Sequence, residues 1–340
     1  MDKTSRIKNT VNVVLIADLI NENNSLQQDA RRDLEKSEQK TINQLIATIH
    51  QLGRGVVHYQ SPDELAKNAL LHKGDIVLSI YGGEVSRNRM ALVPAICETF
   101  GLQYIGPDVY GRVVAQDKEV SKRLAIDAGL QTPQWRIIRQ EEDVVHLNSF
   151  DFPCVIKPLM EGSSIGISQS SLSYTIEQAT LLINKLLTDL DQPIIAEHFI
   201  PGRETALSVI ERKDGFHWAY SEIVIDNDPD FFQNRLFDAE EKINPTQGRT
   251  VRNIDEELNQ ADLEKISALL KSFGHFGYCR VDGRHSDGRF YFLEMTPDAW
   301  IDKKGQFAMA FTEKGWPYAK VINELLLSKE QALPDQLTNG

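Results

Sequence analysis

The stretch from Gly277 to Trp300 reads GYCRVDGRHSDGRFYFLEMTPDAW. Two alternating apolar and polar runs flank Asp287-Gly288, a dipeptide suited to a tight turn, so the stretch predicts a β-hairpin. Strand side chains repeat every second residue, which places Tyr278, Arg280 and Asp282 on one face of the first run. Phe290, Phe292, Glu294 and Thr296 share a face of the second. A three-residue turn of Asp287, Gly288 and Arg289 sets Asp282 opposite Glu294, whereas a two-residue turn sets it opposite Leu293. Two facing carboxylates beside Arg280 repel unless a cation lies between them. A hard divalent ion fits, because Mg²⁺ commonly takes one or two carboxylates plus substrate phosphates. The competing reading is an ordinary hairpin with a solvated charged face.

The chain of 340 residues is too long for one small core and predicts two or three domains. Its net charge of -12 argues against non-specific binding to nucleic acid or to anionic membranes, which needs a basic surface. Cys97, Cys154 and Cys279 are widely spaced in apolar surroundings and read as buried thiols. No signal-peptide core or membrane-length apolar run is present, so a reduced, cytoplasmic setting is expected.

Working back from the hairpin, strands and helices alternate through residues 11–106, which predicts an α/β layer with a parallel sheet. Strands are expected at 11–16, 56–59, 75–80 and 103–106, with helices at 29–52, from 61 and at 91–100. Asp117 caps a helix that ends at Gly129, with Val120, Leu124 and Ala128 at helical spacing. Further strands are expected at 152–158, 193–197, 205–210 and 218–225, and helices at 175–190, 255–273 and 316–327. Residues 227–253 read as a long polar loop, a length that is often functional. The tail from 331 reads as flexible.

Several short patterns carry chemistry. Lys157 stands in an apolar strand, where a lysine needs a partner or a route to solvent. Glu161 to Gly166 is a Gly/Ser loop whose N–H groups and hydroxyls suit phosphate oxygens, although a plain turn has the same composition. Lys118 opens a helix, where the dipole prefers anions, which points to a ligand or to plain solvation. Glu197 closes an apolar strand and leads through His198, Phe199 and Ile200 to Glu204. Such a linker suits either a planar base or a hinge between domains. The eight histidines show no metal-ligand spacing, and neither a nucleophile elbow nor a Gly-x-Gly-x-x-Gly fingerprint occurs.

Together and in this order, Asp117-Lys118, Lys157-Pro158, Ser163-Ser164, Glu197 with Glu204, Arg280-x-Asp282 and Glu294-x-Thr296 resemble the ATP-grasp superfamily, and within it the D-alanine–D-alanine ligases. The resemblance spans about 106–300. It implies ATP-grasp α+β lobes behind an N-terminal parallel-sheet α/β domain. The expected division is 1–106 for that domain, 107–197 for the central lobe, 198–330 for the C-terminal lobe and 331–340 for a flexible tail. By motif match, Lys118 and Lys157 hold phosphates, and Ser163 and Ser164 lie in the loop covering them. Glu197, His198, Phe199 and Ile200 line adenine, and Glu204 takes the ribose. Lys242 falls near the γ-phosphate in a segment similar to the family's ω-loop. Arg280 steadies the reacting centre, with Lys242 and Ser163 beside it. Asp282, Glu294 and Thr296 ligate Mg²⁺, or Mn²⁺. The implied reaction joins a carboxylate to an amine through an acyl phosphate, in a homodimer acting on small amino-acid or carboxylate substrates.

The departures from the family pattern fall on the amino-acid side. Its acid-bearing stretch after the first strand corresponds to Asp18 through Glu22, and its His-Gly pair to Tyr81-Gly82. A family tyrosine falls on Ile243, a metal-binding asparagine on Thr296 and a glycine on Trp300. The expectation is therefore a ligase with substrates other than paired D-alanine. A catalytically inactive ATP-binding sensor or interaction subunit is the alternative, kept open by Thr296 and disfavoured by the retained Lys118, Lys157, Arg280, Asp282 and Glu294.

Overall fold

The structure, a computed structural model, describes residues 11–20, 32–83, 87–213, 215–243 and 247–330. The first sheet contains β1 (Val13–Ile16), β2 (Val56–Tyr59), β3 (Ile76–Ser79) and β4 (Gln103–Ile105), in the order β2-β1-β3-β4. All its pairs are parallel, and both faces are covered, as such sheets require. Val13, Leu15, Ile76 and Leu78 share a core with Ile42, Leu45 and Ile49 of α1 (Gln39–Gln51). Val14, Ile16 and Val77 share another with α2 (Pro62–Asn68) and α3 (Leu92–Phe100). The helix expected from residue 29 begins at Gln39, and residues 29–31 lie outside the described residues.

Two helices follow, α4 (Val109–Gln116), which the sequence reading left unassigned, and α5 (Lys118–Asp127). The Asp117 carboxylate accepts from the N–H groups of Glu119 and Val120, capping α5 as expected. Of the expected row, Leu124 and Ala128 pack against a hydrophobic core while Val120 is exposed, and the fully buried positions are Lys118, Ser121, Lys122 and Ala125.

The central sheet is antiparallel, with β5 (Trp135–Ile138), β6 (Cys154–Pro158), β7 (Leu172–Ser173) and β8 (Ile194–His198) in the order β5-β8-β6-β7. Cys154, Ile156, Ile194 and Ala196 pack with Ala179, Ile183 and Leu186 of α6 (Ile176–Leu190). Alternation therefore turns Lys157 and Glu197 to the opposite face.

The C-terminal sheet orders β9 (Arg203–Arg212), β10 (Gly215–Ile225), β11 (Arg249–Asn253), β12 (Tyr278–Ser286) and β13 (Arg289–Thr296) as β11-β10-β9-β12-β13. The loop expected at 227–253 holds α7 (Ala239–Ile243) and β11. One face of the sheet, through Val209, Cys279, Val281, Phe290 and Phe292, packs against Ala115 of α4, Ala125 of α5 and Ile266 and Leu269 of α8 (Gln260–Ser272). The chain ends through α9 (Gln306–Glu313) and α10 (Tyr318–Glu330), whose Phe307, Phe311, Val321 and Leu325 join the core of the first sheet. Residues 331–340, expected to be flexible, lie outside the described residues.

The hairpin corrects one expectation by two compensating steps. Ser286 pairs with Arg289, so the turn has two residues, Asp287 and Gly288, both at positive φ (50° and 71°). That register alone sets Asp282 against Leu293. A β-bulge between Asp282 and Gly283 leaves Leu293 unpaired and restores Asp282 to its place opposite Glu294. It also divides a row expected to share one face. Phe290, Phe292 and Met295 enter the core, while Glu294 and Thr296 lie on the opposite face with Arg280 and Asp282. A regular ladder would bury Glu294 among the phenylalanines, costing several kcal/mol, against about 1 kcal/mol for one ladder hydrogen bond lost.

Candidate active site

The two antiparallel sheets present charged faces to one another. On the C-terminal sheet, Arg280 grips Asp282 through Nε to Oδ1 (2.5 Å) and Nη2 to Oδ2 (3.0 Å), and the Thr296 hydroxyl donates to Asp282 Oδ2 (2.6 Å). Glu294 Oε2 lies 3.1 Å from Lys118 Nζ. Burial alone would raise the Glu294 carboxyl, but Lys118, Lys157 and Lys242 overcome it and hold the pKa down at about 2. The group is thus an anion at any ordinary pH. Two hard-oxygen carboxylates on paired strands, with a hydroxyl beside them, fit a divalent cation. Among the described residues no cluster of three or more His, Cys, Asp or Glu is arranged to hold a metal, so ligand oxygens would complete this set.

On the central sheet, Lys157 Nζ lies 3.0 Å from Glu197 Oε1. Val155 is the cross-strand neighbour of Glu197, so Lys157 reaches the carboxylate along the sheet diagonal. Lys122, which sequence reasoning missed, takes the other oxygen, Glu197 Oε2, at 2.5 Å. Glu197 is 2% exposed, and each of its carboxylate oxygens lies beside a lysine ammonium.

The Gly/Ser loop is a tight turn in which Ile165 N–H donates to Gly162 O (2.9 Å). Ser163 and Ser164 occupy its centre at φ 50° and 64°, a left-handed backbone costing roughly 1–2 kcal/mol at each non-glycine residue. Strain of this kind persists only where the surrounding structure over-determines the backbone, and it clusters at functional sites. Lys242 Nζ donates to Ser164 Oγ (2.6 Å), which donates to Phe237 O (3.0 Å), tying the loop to α7. Burial, helped by nearby Arg280, lowers Lys242 to about 8 against the pull of Glu294, Glu204 and Asp282. Lys118 Nζ donates to Glu161 O at the start of the loop.

The linker after β8 is more committed than its sequence suggests. His198 N–H donates to Gln134 O (2.9 Å) and Phe199 N–H to Pro153 O (3.0 Å). The His198 ring points at Asp151 O, 3.4 Å away. Phe199 packs with Val155 and Leu236 under the Arg284 guanidinium, 5.1 Å from its ring. Arg284 is nearly buried and donates to Ile200 O (2.9 Å), Phe232 O (2.7 Å) and Glu204 Oε2 (2.7 Å). The linker therefore offers an apolar wall and a half-exposed Glu204, rather than a row of open N–H groups.

The first sheet supplies the remaining wall. Asp18 accepts from the N–H groups of Gly82 and Gly83, both at 2.9 Å, which pins the loop carrying Tyr81. Glu22 and the flank at 84–86 lie outside the described residues, as does the Ile243 side chain. The carboxylate that meets the Gly/Ser loop is Glu35, an unforeseen residue. Its Oε1 accepts from Gly162 N–H (3.2 Å), and its Oε2 is 2.8 Å from Arg89 Nη2. Arg89 also reaches Glu161 Oε2 (3.0 Å), bridging the first sheet to the loop. Beyond β13, the buried Asp298 pairs with Arg112, and burial holds its carboxyl up at about 6 despite that partner. Trp300 is half-buried and packs so closely on Gly305 that a Cβ there would meet its ring.

A sequence profile of the family described as D-ala D-ala ligase C-terminus matches residues 124–327. Over 275 residues the chain is 26% identical to the D-alanine–D-alanine ligase of Pelagibacter ubique (strain HTCC1062), which covers 78% of this chain and 84% of that protein. Among solved structures it resembles a D-alanine–D-alanine ligase from Bacillus anthracis complexed with ATP, at TM-score 0.70 and 18% identity, covering 94% of this chain and 98% of the other. The VanG D-Ala:D-Ser ligase from Enterococcus faecalis gives a TM-score of 0.68 at 16% identity, with 93% and 98% covered.

Proposed function

Because the chain belongs to the family of D-ala D-ala ligase C-terminal domains and has the ATP-grasp fold of its structural neighbours, we propose that it is an ATP-dependent, ADP-forming carboxylate–amine ligase. The observation that carries this reading is the convergence of Lys118, Lys157, Lys242 and Arg280, from separate elements, around Asp282 and Glu294. A polyphosphate needs such cations, and in-line phosphoryl transfer needs charge neutralisation rather than a protein nucleophile.

In this reading a substrate carboxylate oxygen attacks the γ-phosphorus of ATP, and ADP leaves. The amine of a second substrate then attacks the acyl carbon of the acyl phosphate. The tetrahedral intermediate expels phosphate, and the nitrogen loses a proton. Lys118 and Lys157 hold phosphate oxygens, Ser163 and Ser164 cover them, and Lys242 meets the γ-phosphate. Phe199 and Ile200 wall the base, and Glu204 accepts from the ribose. Arg280 offsets charge on the tetrahedral carbon's oxygen. Asp282, Glu294 and Thr296 would hold Mg²⁺ or Mn²⁺, which supplies charge neutralisation for the phosphates when bound.

What supports substrates other than a pair of D-alanines is that Tyr81 and Trp300 stand where the family pattern has a histidine and a glycine. The D-Ala:D-Ser ligase among the structural neighbours is named for a mixed pair. The test is phosphate release over paired amino acids and small carboxylic acids, with product mass detected. A product bearing a new amide bond supports the reading. Tight ATP binding with no ADP from any pair would overturn the ligase, and robust turnover on D-alanine alone would overturn the substrate assignment.

A further inference from the structure

Helix α5 carries two lysines one turn apart on its buried face, and the proposed reaction uses only Lys118. Lys122 is completely buried. Its ammonium lies 2.5 Å from Glu197 Oε2, donates to Thr132 Oγ1 at 3.0 Å and stands 6.0 Å from the Trp135 ring centre. Glu197 Oε1 is at the same time 3.0 Å from Lys157 Nζ. One buried carboxylate is divided between two buried ammoniums, one from a helix and one from the adjoining strand.

That division has an electrostatic consequence. A carboxylate paired with Lys157 alone would neutralise it, and a neutral pair attracts phosphate weakly. With Lys122 present, two positive charges share one negative charge, so the group keeps a net positive charge facing the cleft. We propose that Lys122 is a positioning residue which, by holding half of Glu197, keeps the charge of Lys157 available to the nucleotide phosphates.

The surroundings agree. Burial opposes the charge on Lys157, and Glu197, joined by Glu294, more than offsets it. Burial also holds Lys122 down at about 8, with Glu197 and Glu294 pulling it up and Lys157 pushing it down. The two ammoniums therefore compete for the same anion. The family resemblance gave no role to Lys122. The inference rests on the phosphate role proposed for Lys157, so that role is tested separately.

The experiment is calorimetric titration of the full chain with MgADP, in parallel with thermal unfolding. Lys122→Met should bind ADP at least about tenfold more weakly, the scale of one charge-assisted contact. Lys122→Met combined with Glu197→Gln removes one charge of each sign and should recover affinity to within about threefold of the unsubstituted protein. A purely structural role predicts no such rescue, because the double variant loses more contacts than the single one. Wild-type affinity in Lys122→Met, or a double variant no better than the single, would overturn the proposal. If Lys122→Met is too unstable to titrate, Lys122→Arg and the double variant carry the test. Both should bind within about threefold of wild type, and loss of binding in the double would overturn it. Lys157→Ala separates the two levels. Unchanged ADP affinity there refutes the phosphate role itself, whereas weakened binding there with no effect at Lys122 refutes only the inference.

Discussion

The nucleotide side of the cleft and the wall contributed by the first sheet both bury opposite charges, but they place them differently. On the nucleotide side, Lys157 and Glu197 come from β6 and β8, Asp282 and Glu294 from β12 and β13, and Lys118 and Lys122 from successive turns of α5. The positions follow from strand alternation and helix pitch, so each group is fixed by a rigid element. On the other wall, Asp18, Glu35, Arg89 and Asp298 lie at strand ends, in short 3₁₀ turns or in loops. Their partners are largely one another and backbone N–H groups. A regular scaffold suits a ligand common to many enzymes, and loop positions suit one that varies between them.

The comparison breaks first if the facing carboxylates do not govern the metal. Asp282→Asn with Glu294→Gln removes both anions of the proposed divalent site. Turnover should fall by about 10³-fold, and Mg²⁺ should no longer strengthen ADP binding. Unchanged Mg²⁺ dependence, read by titrating ADP with and without the ion, would show that the metal is held elsewhere.

The next largest effect belongs to the other wall. Arg89→Met leaves Glu35 and Glu161 buried without their shared cation. Losing one partner of a buried ion pair costs about 3–5 kcal/mol, which should appear as a clearly lower unfolding midpoint in urea. ADP affinity should stay within about threefold if the two walls are separate in function. A large loss of ADP affinity at full stability would merge them.

Lys157→Ala is the matching test on the nucleotide side. Turnover should drop at least tenfold, with the loss seen in ADP affinity too, because the lysine contacts the nucleotide in the proposed reading. Wild-type turnover would remove Lys157 from the site.

How legible these two sides were follows from the same difference. Lys157 stood out because an apolar strand rarely contains a lysine, and Asp117 because it fitted a helix cap. The Asp282–Glu294 pairing was foreseen with the wrong turn, because a bulge at Leu293 cancels the one-residue error. Alternation cannot reveal a bulge, since the extra residue changes parity without changing composition. Lys122 was hidden because α5 was read by its apolar residues, whereas the fold buries its lysines and exposes Val120. The lysine spacing, 118 and 122, was the available signal. Glu35 was missed because the segment joining β1 to α1 is long, so counting on from β1 stopped at Glu22. Nothing local marks such a residue before the chain is folded.

A smaller effect tests how the first-sheet wall is pinned. Asp18 offers one oxygen to Gly82 N–H and the other to Gly83 N–H. Asp18→Asn keeps one acceptor and turns an amide donor toward the second N–H. The lost hydrogen bond and the unsatisfied donor should cost about 1–2 kcal/mol, seen as a modest fall in the unfolding midpoint. ADP affinity should not change. A fall in ADP affinity at unchanged stability would tie this loop to the nucleotide.

The smallest expected effect is the shape of the pH profile, and it separates the walls by sign as well as by size. Burial depresses both Lys122 and Lys242 to about 8, from an ordinary lysine value of 10.5. Their charges serve the nucleotide only when protonated, so kcat/KM for ATP should fall as pH rises through 8. That parameter reports the free enzyme, before bound phosphates pull the lysines back up. Two such groups make the alkaline limb steeper than a single proton allows, and Lys242→Arg, which stays charged, should leave a one-proton limb. Stability linked to the same lysines moves the other way. Between pH 8 and 10.5 the unfolded chain binds more protons at these positions, so their contribution to folding improves as pH rises. Activity lost through alkaline unfolding would come with a falling unfolding midpoint, whereas deprotonation of these lysines would not. A limb that Lys242→Arg leaves equally steep would exclude Lys242 from it, and the nucleotide side would then owe its pH dependence to another group.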